Sequence, residues 1–135
     1  MKIYCTGCQK DVEARLTDGA EIYPHRPDLY KLPIWKCDTC GNYVGCHHKT
    51  ANPTRPLGVI ATPEISNARK KIHALLDSIW ESRLMGRSQV YAYISHQLGH
   101  DYHNGEIRTL EEARQIYRIV GTLRNELLKA DEQKE

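Results

Sequence analysis

Cys5-Thr6-Gly7-Cys8 and Cys37-Asp38-Thr39-Cys40-Gly41 are the stretches that decide how this chain folds. Each holds a C-x2-C pair, and 28 residues lie between the pairs. Two thiolates on one tight turn, set against two on another, form the tetrahedral S4 donor set that zinc favours. Iron also accepts four thiolates, so the spacing leaves zinc and iron open. Gly7 and Gly41 lie where the chain must turn sharply around a metal. A catalytic zinc keeps one position open, whereas Cys5, Cys8, Cys37 and Cys40 close the site. The expected role of the ion is therefore structural.

Around the first pair, Val12-Glu13-Ala14-Arg15-Leu16 and Ala20-Glu21-Ile22-Tyr23 alternate apolar and polar about Asp18-Gly19. That pattern predicts a hairpin turning at Asp18-Gly19. Ile34-Trp35-Lys36 and Tyr43-Val44-Gly45-Cys46 flank the second pair and predict a strand–knuckle–strand unit. Alternation puts Val44 and Cys46 on one face and Tyr43, Gly45 and His47 on the other. Residues 49–61 read as a linker, with Val59-Ile60-Ala61 adding a short strand or packing.

The period then changes. Thr62-Pro63 caps a helix with Ile65, Ala68, Ile72, Leu75, Leu76 and Ile79 inward, expected to run to about Leu84. Ser88 caps a second helix with Val90, Tyr91, Ile94 and Leu98 inward, ended by Gly99 as a left-handed cap. Asn104-Gly105 marks a turn. Thr109-Leu110-Glu111-Glu112 is a capping box for a third helix, with Ala113, Ile116, Tyr117, Val120, Leu123 and Leu127 inward and a frayed tail from Asp131. The first two helices faintly resemble a helix-turn-helix, but the first is too long for the usual version, and a three-helix packing layer is the simpler reading. The fold class expected is α+β: a small antiparallel zinc-ribbon-like sheet with its linker, 1–61, packed with three C-terminal helices, 62–135, as one compact domain.

The formal charge is +2, so bulk electrostatics do not announce a nucleic-acid binder. Residues 1–62 carry eight Lys or Arg against six Asp or Glu, 63–100 five against three, and 101–135 six against eight. The basic excess lies in the first hundred residues, which supports local phosphate contact. Met1 leads into Lys2-Ile3-Tyr4-Cys5 without an apolar signal core, and no run near 20 apolar residues follows. The expectation is a cytoplasmic protein that crosses no membrane. Five cysteines, two metal-spaced pairs and one left over, fit a reducing compartment.

Prolines bracket Pro24-His25-Arg26-Pro27 and hold His25 and Arg26 in place at low entropy cost. Arg26, Lys36, Lys49, Arg55, Arg69 and Lys70 are the candidate phosphate contacts, although Arg26 has Asp28 within reach as an ion-pair partner. Trp35, Tyr23, Tyr30 and Tyr43 offer stacking faces. Eight tyrosines and no phenylalanine fit surfaces where a ring packs and its hydroxyl stays wet. His73 and Asp77 stand at i and i+4 and can hydrogen-bond along their helix. Such a pair fixes an imidazole tautomer or simply settles a half-buried histidine.

Taken together, Tyr4–Cys8, Ile22–Leu29, Trp35–Gly41, Tyr43–His47 and Pro56–Gly58, continued by Ala68-Arg69, His73, Asp77 and Trp80, resemble a zinc-finger-containing domain family of bacteria and their phages. The resemblance covers about residues 3–120. It implies a bound zinc, a microbial or phage cytoplasmic setting and a single domain, and it implies no reaction. It marks Tyr23, His25, Arg26, Cys46, His47, His73 and Asp77 as motif positions. A looser resemblance is to zinc-braced His-Me finger nucleases, which place a catalytic His between two C-x2-C pairs and an Asn after the second. In that reading His25 activates water, Asn42 orients His25, and a divalent metal sits on Asp28 or His47, with His73 and Asp77 as further candidates. The segment 23–27 lacks the Asp-His doublet such nucleases show. A nucleic-acid-binding zinc module is the expectation, with a His-Me finger nuclease and a protein-binding adaptor as alternatives.

Overall fold

The computed structural model describes residues 1–133, so Lys134 and Glu135, the end of the expected tail, lie outside the described residues. The fold is α+β, with two compact units, Met1–Glu64 and the chain from Ile65 on.

In the first unit, β1 (Lys2–Cys5) and β2 (Lys10–Glu13) pair antiparallel, Lys2 opposite Glu13 and Cys5 opposite Lys10. A second antiparallel sheet has the order β3 (Arg15–Asp18), β4 (Pro33–Lys36), β5 (Tyr43–Gly45). Side chains alternate across a strand, so Ile3 and Cys5 of β1 turn to one core, which Val44 of β5, opposite Trp35, also faces, while Ile34 of β4, opposite Gly45, is buried on the other face of its sheet.

The expected hairpin at Asp18-Gly19 is corrected. β2 pairs with β1, and β3 pairs with β4. Asp18 instead caps a one-turn helix, α1 (Gly19–Ile22), with its Oδ1 accepting the Glu21 N–H at 3.2 Å. Residues 49–61 are also more than a linker. The Ile60 N–H donates to the Tyr4 carbonyl and the Thr6 N–H donates to that of Ile60, both at 2.9 Å. Ala61 bridges Tyr43. This short run therefore joins the two sheets over a core of Ile3, Cys5, Ala14, Cys37, Val44 and Ile60. Two of those six are candidate metal ligands, so the packing of this cluster and the metal brace depend on each other.

The second unit is helical. It is built on α2 (Pro63–Glu81), α3 (Arg87–Leu98) and α4 (Leu110–Gln133). Ile65, Ile72, Leu76 and Ile79 of α2, Val90 and Ile94 of α3, and Ala113, Ile116, Val120 and Leu123 of α4 are buried at helical spacing. Several boundaries differ from expectation. α2 stops at Glu81, short of Leu84, because Arg83 takes a left-handed φ of 57°. Gly86 rather than Ser88 precedes α3. Helix α4 continues through Asp131 to Gln133, and Tyr117 is 47% exposed rather than inward. Gly99 has the expected left-handed φ, 81°, and Thr109 Oγ1 accepts the Glu112 N–H at 3.1 Å. Among the described residues no helix is long and apolar enough to cross a membrane.

Candidate metal centre and the basic loop

Both C-x2-C turns have the same backbone design. The Gln9 N–H donates to the Cys5 carbonyl at 2.7 Å, and the Gly41 N–H to that of Cys37 at 2.8 Å. Four residues past the first cysteine the chain is left-handed in each, φ 57° at Gln9 and 80° at Gly41. The backbone N–H groups of Cys8 and Gly7 point to the Cys5 thiol, and those of Cys40 and Thr39 to the Cys37 thiol. Each turn thus aims two dipoles at its first sulfur, an arrangement suited to a thiolate.

All four Sγ atoms lie within 4.8 Å of one another. Cys5 and Cys40 are 3.2 Å apart, and Cys8 and Cys37 3.7 Å. A tetrahedron with metal–sulfur bonds of about 2.3 Å has edges of about 3.8 Å. The donor set therefore fits a structural zinc ion held by Cys5, Cys8, Cys37 and Cys40. Without metal, burial pushes the Cys5 thiol up to about 12. Burial acts in the same direction on Cys37, but the N–H donors and neighbouring thiols outweigh it and hold Cys37 down to about 7. The Cys8 thiol is raised, chiefly by its hydrogen bond with Cys37. Zinc must therefore displace protons from Cys5 and Cys8 at neutral pH, and its hold weakens as pH falls.

Two further side chains support the centre. Asn42 Nδ2 donates to Cys40 Sγ at 3.2 Å. A β-carbon on Gly7 would come within 2.6 Å of that same nitrogen, so the glycine makes room for this donor rather than for a special φ. Cys40 is exposed, and Asn42 supplies the hydrogen bond that solvent would otherwise provide. Asn42→Ala is expected to weaken zinc binding about tenfold in a chelator competition; unchanged affinity would show the contact to be idle. Arg15 grips Asp38, inside the second turn, through Nε and Nη2 at 2.8 and 2.9 Å, and grips Glu21 of α1 at 2.9 Å. Arg15 first, then Thr17 and Lys36, holds the Glu21 carboxyl well below the usual range, and Arg15 lowers Asp38. Depressed carboxyls contribute stability above their unfolded pKa values and lose it as pH falls through the folded ones, so this tie between sheet and turn loosens in acid.

The remaining site candidates separate into committed and free. Arg26 is clamped by Asp28 through two bonds of 3.0 and 2.8 Å. Lys36 Nζ sits 2.9 Å from Glu21. Arg69, largely withdrawn from solvent, donates to the Ile107 carbonyl at 2.8 Å and secures the buried Ile107 of the α3–α4 connection. Lys49, Arg55 and Lys70 are exposed, without ion pairs among the described residues. His25 is exposed, while the His47 N–H donates to the Arg55 carbonyl at 2.8 Å. His73 Nδ1 lies 3.2 Å from Asp77 Oδ2, and its ring stands edge-on to Trp80. Among the described residues the four cysteines are the one group of three or more His, Cys, Asp or Glu placed to hold a metal. Among the described residues His25, Asp28 and His47 belong to no such group, and the Asn42 amide is turned to sulfur.

No carboxylate occurs between Asp38 and Glu64. Within that run, residues 46–57 fold back on β5, with Cys46 bridging Pro56 and the Leu57 N–H donating to Gly45. Trp35 Nε1 donates to the Thr54 carbonyl at 2.7 Å and fixes the loop to β4. The absence of acidic residues was visible in the sequence; the loop's ordered backbone was not.

Neither a search of curated proteins nor one of solved structures returned a match. A family model described as a zinc-finger-containing domain matches residues 1–126. With nearly the whole chain covered and four cysteines gathered as zinc ligands, the chain belongs to this zinc-finger-containing domain family.

Proposed function

We propose that this chain is a non-enzymatic zinc-finger module that binds nucleic acid through the loop following β5, and that it works in the cytoplasm, where its cysteines, none of them paired in a disulfide, stay reduced. One observation carries the reading: Lys49 and Arg55 lie exposed on an ordered loop in a run with no carboxylate. Phosphate contacts need cations that are not already neutralised. Arg26 and Lys36, by contrast, are neutralised by Asp28 and Glu21. A metal site closed by four cysteines favours binding over cleavage, since no position is left for an activated water.

Titration of a labelled oligonucleotide followed by anisotropy tests this. Affinity should fall steeply with salt. The pair Lys49→Glu and Arg55→Glu should weaken binding at least about tenfold and flatten the log–log salt slope by roughly 1.5. No binding to any single strand or duplex at low salt would overturn the reading and turn attention to a protein partner.

A further inference from the structure

Strands β4 and β5 and the returning loop enclose a cleft of about 170 Å³. That is well below the roughly 300–1,000 Å³ of ordinary small-molecule sites, and it suits one planar ring. Leu32, Ile34 and Leu57 give it apolar walls, and Tyr23, Tyr43 and His48 add its polar groups. Ile34 is buried, whereas Tyr43 and Leu57 remain 39% and 53% exposed. A β-carbon at Gly45 would stand 3.4 Å from Leu57 Cδ1, so a side chain there would press into this space.

The polar groups have definable roles. The Tyr23 hydroxyl donates to that of Tyr43 at 3.3 Å, which leaves the Tyr43 proton to donate elsewhere. His48 Nδ1 lies 3.3 Å from the Cys46 carbonyl. A carbonyl can only accept, so Nδ1 carries the proton and Nε2 is left as an acceptor. The cleft therefore combines one donor, one acceptor and an apolar wall. Thymine presents a matching set: carbonyl acceptors, the N3–H donor and a methyl group. Cytosine can also meet the donor and the acceptor, through N3 and its N4 amino group, but it lacks the methyl, and a purine needs more room.

We propose that this cleft holds one unpaired thymine of a single DNA strand, with Lys49 and Arg55 on the adjoining loop meeting its phosphates. The inference rests on the nucleic-acid reading above and narrows it. In a duplex the ring faces are stacked and the pairing edges engaged, so only a base out of the stack can enter.

The zinc-loaded protein is titrated with oligo-dT, oligo-dU and oligo-dC of one length and with a duplex. Oligo-dT should bind about fourfold tighter than oligo-dU or oligo-dC, the worth of one buried methyl, with the duplex weaker still. Tyr43→Ala should cost at least about fivefold for oligo-dT. Leu57→Ala, a change at an exposed side chain that spares the fold, should erase the dT–dU difference. Zinc content verifies that both variants are folded. If the protein binds all four ligands alike, loses them with the Lys49/Arg55 reversals and ignores Leu57→Ala, the cleft is not a base site and the nucleic-acid reading stands. If it binds none of them, both fall.

Discussion

Cys5→Ser is expected to abolish zinc binding and to remove the protection of residues 1–64 against amide hydrogen exchange. Structural zinc sites carry apparent binding free energies of about 10–16 kcal/mol at neutral pH. That equals or exceeds the whole stability of an ordinary domain, about 5–15 kcal/mol. The core cluster beneath the two sheets includes Cys5 and Cys37 themselves, so losing the metal also loosens the packing around it. Cys5 is fully buried, and a serine hydroxyl there would be a poor ligand in an apolar setting. Zinc content by native mass spectrometry and peptide-level exchange read the two effects together. Loss of zinc with full protection retained would show that the metal does not hold the sheets.

Gly19→Ala should cost about 3 kcal/mol, the upper end for overpacking. A β-carbon at this position would lie 1.7 Å from the Leu29 carbonyl oxygen and 2.5 Å from its carbon. Those atoms are backbone, so no side-chain rotation relieves the clash. The Gly19 N–H also donates to the Leu32 carbonyl at 3.0 Å, which pins α1 against the 27–32 segment. Gly99→Ala is the contrast: its φ is 81°, but nothing lies within 4 Å of the added carbon. It should cost only about 1–2 kcal/mol, for the left-handed backbone. Urea melts of the zinc-loaded protein compare the two. A change below about 0.5 kcal/mol for Gly19→Ala would contradict the close approach of residues 19 and 29.

Gly19 also shows where the sequence misleads. Asp-Gly between alternating runs is a strong hairpin signal, yet here Asp18 caps a helix and Gly19 admits a passing carbonyl. The reason is competition for partners: β2 is taken by β1, which the first metal turn brings back alongside it, and β3 is left for β4. Local pattern cannot rank such pairings. The metal turns were legible because ligand chemistry dictates their spacing. Even so, only Gly41 announced its left-handed position; Gln9 adopts the same conformation without a sequence signal, held by the bond to the Cys5 carbonyl.

The helices were legible from period alone, as the buried Ile65, Ile72, Leu76 and Ile79 illustrate. Ile107 was not, because it is buried from a connection that has no period, under the Arg69 guanidinium. Charges were the least legible part. Whether the charges of Arg26, Lys36 and Arg69 are engaged depends on Asp28, Glu21 and the Ile107 carbonyl, and Glu21 and Ile107 reach their partners only through folding. Lys49 and Arg55 stay available because their stretch of chain contains no acid to claim them.

X-ray absorption at the zinc edge of the purified protein is the most direct test of the metal centre around which the first unit is built. Four sulfur scatterers at about 2.3 Å, one zinc per chain and no lighter ligand are expected. A light-atom scatterer in place of a sulfur would mean that one of Cys5, Cys8, Cys37 and Cys40 is not a ligand, and a water oxygen there would leave the site open, with the ion placed for chemistry rather than for structure.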